Sequence, residues 1–91
     1  MARTDPVKTF VVTVNTTATL VVPADIETRT VYLHNASGGS IYLGGSDVTT
    51  ATGYHLQNNA YASFVVPGNE TIYGIVSTGT RDVFVFRSAD A

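Results

Sequence analysis

Apolar and polar side chains alternate along much of this chain, and no eleven-residue window keeps the i, i+3, i+4 spacing of an amphipathic helix. The alternation is clearest in VYLHNASGGSIYL, where Val31, Leu33, Ile41 and Leu43 alternate with Tyr32, His34, Ser40 and Tyr42 on either side of a Ser-Gly-Gly turn. This predicts a β-hairpin whose connection runs from Asn35 to Ser40, since Gly38 and Gly39 can adopt the positive φ of a short turn. Runs rich in β-branched residues predict strands over residues 7–14, 18–22, 30–34, 40–43, 60–66, 71–77 and 82–87. Turn chemistry separates them: Asn15-Thr16-Thr17, Pro23-Ala24-Asp25, Pro67-Gly68-Asn69-Glu70 and Thr78-Gly79-Thr80-Arg81.

About seven short strands with a turn signal roughly every ten residues predict an all-β fold, a small antiparallel β-sandwich or barrel. Val31, Leu33, Ile41, Leu43, Phe64, Val66, Ile72 and Val85 are the expected inward positions. One domain is expected over residues 9–88, with an amino-terminal arm at 1–8 and a short tail at 89–91. Residues 44–53, GGSDVTTATG, hold one sizeable apolar side chain and predict an exposed loop that offers Asp47 and Val48 to a partner. In Val83-Phe84-Val85-Phe86 both faces are apolar. Either that strand is covered on both sides, or Phe84 and Phe86 meet a neighbouring subunit, which is the favoured reading.

Composition sharpens this picture. With 91 residues, 44% of them hydrophobic and 13% charged, the chain is apolar for a domain with so much surface per volume, which points to surface covered by another subunit. A net charge of −2 without a Lys/Arg run argues against nucleic acid as partner. There is no cysteine, so neither a disulfide nor a thiolate metal site exists. The amino end lacks a signal-peptide pattern and no apolar run approaches the roughly 20 residues of a membrane helix. The expectation is a protein made and kept soluble in the cytoplasm, with no membrane partner. Asn15, Asn35 and Asn69 each open an N-x-S/T triplet, read here as turn and strand composition rather than glycan sites.

Candidate chemistry is thin. His34, His55 and Asp47 are residue types that could ligate a metal, but nothing in their spacing brings them together, so no metal and no other cofactor is expected. Hydroxyls abound without a G-x-S-x-G elbow. Gly44-Gly45-Ser46-Asp47 is not followed by the lysine and helix of a phosphate loop, and no enzyme is expected. The tyrosines at 32, 42, 54, 61 and 73 carry more weight. Tyr32 and Tyr42 share the outward phase of the expected hairpin, where they can pair across strands or form a contact surface for protein or, alternatively, for sugar rings.

The run IYLGGSDVTTATGYHL, followed by ETIYGIVSTGT and a closing V-F-V strand, resembles a recurrent family of small virion proteins of tailed bacteriophages. The resemblance spans residues 31–87; family members often have proline where this chain has His55, and the first thirty residues carry no match. It transfers no catalytic motif. It implies a capsid decoration, or cement, protein: a compact, trimeric β domain on the outer face of the virion head, with the major capsid protein and its own copies as partners. An amino-terminal arm with Arg3, Asp5 and Pro6 would add contact along a neighbour. A carbohydrate-binding or host-adhesion module of a head or tail fibre, and a neck or tail structural subunit, are the alternatives.

Overall fold

The computed structural model describes residues 8–26 and 28–87. They form β1 (Lys8–Val14), β2 (Thr19–Val22), β3 (Arg29–Asn35), β4 (Ile41–Gly44), β5 (Tyr54–Leu56), β6 (Tyr61–Val66), β7 (Ile72–Ile75) and β8 (Arg81–Arg87). The first sheet has the order β1-β8-β3-β6 and the second β2-β7-β4-β5, with every pairing antiparallel. First pairs with last, second with seventh, third with sixth and fourth with fifth, so the chain is one long hairpin folded over on itself. The β3–β8 and β4–β7 pairings then close the two sheets. This is the strand order of a jelly roll, an all-β sandwich.

Period-two burial holds in both layers. In the first sheet Val83 and Val85, Val31 and Leu33, and Val66 point inward; in the second Val21, Ile41, Leu43 and Leu56 do. Phe64 and Ile72, expected inside, are partly buried against this core. The β2–β7 register shifts between Leu20 and Val22, which turns both Val21 and Val22 into the interior.

The expected hairpin is not formed. β3 belongs to the first sheet and β4 to the second, so Asn35–Ser40 arches from one layer to the other instead of joining ladder partners. Tyr32 and Tyr42 consequently face away from each other on opposite outer surfaces. Gly38 does take a positive φ of 92°. Gly39 has no such φ; a Cβ there would push aside the Arg81 guanidinium, the movable end of a flexible side chain. The fold also has one strand more than expected, since Tyr54–Leu56 pairs with β4 as an edge strand. Lys8, which the expected arm at 1–8 and the expected first strand at 7–14 both included, opens β1 opposite Arg87. The rest of the arm, with Arg3, Asp5 and Pro6, and the tail at 89–91 lie outside the described residues.

Two polar side chains tie the ends of the sandwich. Arg29 is fully buried, and its guanidinium donates to the carbonyls of Pro23 at 2.6 Å, Glu70 at 2.9 Å and Pro67 at 3.2 Å. It thus joins the segment after β2 to the β6–β7 turn. At the opposite end Asn35, also fully buried, donates its amide to the carbonyls of Gly39 and Leu56 at 2.6 and 2.9 Å. Its side-chain oxygen accepts from the Ser37 hydroxyl at 2.6 Å and the Ser37 amide at 3.2 Å. With its side chain so enclosed, Asn35 cannot carry a glycan in the folded protein.

Candidate functional site

The outer face of the first sheet is built by register. Across it Val11, Phe84, His34 and Tyr61 form one row, and Thr9, Phe86, Tyr32 and Ser63 the next. Every strand here alternates, so burying Val83, Val85, Val31 and Leu33 obliges Phe84, Phe86, Tyr32 and His34 to point outward. Phe84 and Phe86 are 47% and 42% exposed, and Tyr32 is 48% exposed. The rings lean on one another edge to face, Tyr32 with Phe86 at 5.7 Å between centroids and His34 with Tyr61 at 6.2 Å. Between them runs a shallow apolar groove of about 430 Å³. The only formally charged side chain that the described registers place on this face is Asp82, held at its margin by the Thr13 hydroxyl at 2.8 Å. β8 is therefore central in its sheet, yet its outer face is covered by none of the described residues.

The second sheet presents less. Tyr42 stacks on His55 at 4.9 Å with 13° between the ring planes, and His55 Nε2 lies 2.6 Å from the Ser40 hydroxyl. A serine hydrogen-bonded to a histidine is the start of a nucleophile–base pair. Here no carboxylate bonds the second ring nitrogen among the described residues, and neither Ser40 nor His55 lines either apolar groove of the domain. The pair fastens the Ser40 end of the interlayer arch to β5.

The 44–53 loop is tighter than its composition implies. Val48 is buried, and it packs so closely over Gly44 that a Cβ there would come within 2.9 Å of its methyl. Thr49 and Thr52 share a 3.0 Å hydroxyl contact, while the Gly53 amide donates to the Thr49 carbonyl at 2.9 Å. Gly53 itself is backed against Tyr42, where a Cβ would come within 2.6 Å of that side chain. Val48 therefore anchors the loop from inside. What the loop offers outward is Asp47 and the threonines, on a different surface from Tyr32, Phe84 and Phe86.

His34 lies on the first sheet and His55 on the second, and no three of His, Cys, Asp or Glu gather into a metal-holding group among the described residues. A second apolar groove, of about 460 Å³, opens between the two sheets at the β5–β6 side and is lined by Leu43, Tyr54, Phe64, Val65 and Ile72. Tyr54 and Phe64 meet edge to face across its mouth at 5.6 Å. The expected strands left out residues 54–56, so the pattern along the chain carried no sign of this groove.

Among the described residues no helix is long and apolar enough to cross a membrane. No family model matches the chain, and neither a curated protein nor a solved structure matches it.

Proposed function

We propose that this chain is a structural protein of a tailed-bacteriophage virion, and within that class a decoration protein that binds the major capsid protein on the outer head surface. The observation that carries the reading is the outer face of the first sheet, where half-exposed Tyr32, Phe84 and Phe86 lie beside Val11 with charge only at the margin. Such a face is suited to burial against another protein surface, and it belongs to a domain whose described residues assemble no catalytic constellation. The resemblance of residues 31–87 to small virion proteins supplies the class of partner. A jelly roll serves viral capsid and lectin domains alike, so the fold leaves the choice to the surface. A decoration protein adds buried area across the seams between capsid subunits and so resists the outward pressure of the packaged genome; it needs complementarity, not chemistry.

The test uses virions of the phage that encodes the chain. Heads stripped of the protein are mixed with wild type or with a Phe84→Ser/Phe86→Ser variant, and occupancy is measured over a concentration series. Wild type is expected to saturate the heads and the variant to need at least about tenfold more protein, a loss of about 1.4 kcal/mol in binding. Absence of the chain from purified virions, or equal occupancy by both proteins, would overturn the proposal. Binding to purified glycans with no binding to heads would favour the adhesion alternative.

A further inference from the structure

The first sheet ends at β6, and nothing among the described residues covers that edge. The Asn35 amide donates to the Ala60 carbonyl at 2.9 Å, and β3 and β6 run antiparallel in a register that continues from this pair. Hydrogen-bonded and non-bonded pairs alternate along such a ladder. Ala62, Phe64 and Val66 therefore turn their backbone groups toward β3, while Tyr61, Ser63 and Val65 turn theirs to the open edge. Tyr61 is 80% and Val65 68% exposed. The strand reads YASFVV and carries none of the devices that blunt an edge: no charge, no proline inside it and no register shift against β3.

We infer that β6 pairs antiparallel with β6 of a second copy about a two-fold axis through Ser63. The side chains complement themselves in that register. Tyr61 faces Val65 of the other copy, Phe64 faces Ala62, and Ser63 faces Ser63, so each bulky residue meets a smaller one and the smallest exposed residue lies on the axis. Tyr61, Ser63 and Val65 are the residues whose backbone groups are open, so each exchanges both of its hydrogen bonds with its opposite number. No like charges meet along the strand. The pairing joins two first sheets into one continuous sheet with a single outer surface, doubling the apolar face that carries Phe84 and Phe86. A contact of this kind is isologous and closes at two copies, whereas the three-fold ring implied by the family resemblance would need two different edges. The inference stands on the edge geometry and is independent of which partner takes the outer face.

Sedimentation equilibrium of the full chain at about 1 to 100 µM, the range over which a small interface changes state, is expected to show a monomer–dimer transition. The chain has no cysteine, so introduced thiols report the register directly. Facing residues of a hydrogen-bonded pair stand about 5.5 Å apart at Cα, within the range a disulfide spans. Ser63→Cys should oxidise to a disulfide dimer on its own. Tyr61→Cys and Val65→Cys should each fail alone but cross-link when mixed. Ser63→Pro removes only an outward N–H and should leave a folded monomer, while Ser63→Lys, which sets like charges opposite each other, should also abolish the dimer. A monomer across the whole range, a trimer mass, or cross-linking by Tyr61→Cys alone as efficient as by Ser63→Cys would overturn the inference.

Discussion

Arg29 is enclosed by three carbonyls from two distant segments, the one after β2 and the β6–β7 turn, so removing it leaves acceptors without a donor and a hole the size of its side chain. Leaving buried carbonyls unpaired costs about 1 to 3 kcal/mol and the cavity adds to it, a large part of the 5 to 15 kcal/mol that holds a typical domain together. Arg29→Ala is therefore expected to lower the denaturation midpoint severely, and Arg29→Lys by less, because an ammonium keeps the charge but cannot fork between the same carbonyls. Equal midpoints for wild type and Arg29→Ala in urea would show that the guanidinium is dispensable. The signal for this residue was present in the chain: positions 29, 31, 33 and 35 share one phase, with Val31 and Leu33 at its centre. Reading inward positions as apolar hid Arg29 and Asn35, whose burial is tolerable only because distant carbonyls come to meet them.

At the scale of the element, β8 combines two faces with different duties. Val83 and Val85 are in the core, and Phe84 and Phe86 are about half exposed on the other side. Phe84→Ser/Phe86→Ser is expected to change the melting temperature far less than Val83→Ser/Val85→Ser, which places hydroxyls in the interior where their transfer is unfavourable. Comparable losses for the two pairs, measured by thermal melting, would mean that the outer rings are structural. The 44–53 loop shows how an element can mislead. Its small residues predict a segment held by little, yet one valine reaching inward and a pair of threonines bonding to each other give it a defined shape. Composition counts side chains, whereas the loop is held by where a few of them point.

For the molecule as a whole, the pairing of β1 with β8 joins residues from the two ends of the described chain, and β2 with β7 and β3 with β6 close loops nearly as long. Loop closure at such separations precedes most of the stabilising contact, so refolding is expected in milliseconds to seconds, as for other all-β sandwiches, rather than in microseconds. Stopped-flow refolding by tyrosine fluorescence checks this, and a microsecond phase carrying the full amplitude would contradict it. The same long-range pairing separates what was legible from what was not. Period-two alternation and turn residues placed the main strands, their inward faces and the outward direction of Phe84 and Phe86, because each depends only on neighbours along the chain. Which strands share a ladder depends on residues far apart in sequence. Val31–His34 and Ile41–Leu43 show the same alternation whether they pair with each other or lie in different layers, and a Gly-Gly turn serves an interlayer arch as well as a hairpin. Only the tertiary structure sent β3 to β8 and β6, sent β4 to β7 and β5, and left β6 as an open edge. Burying both apolar faces against each other needs two layers, and the local pattern is silent about which strand goes to which.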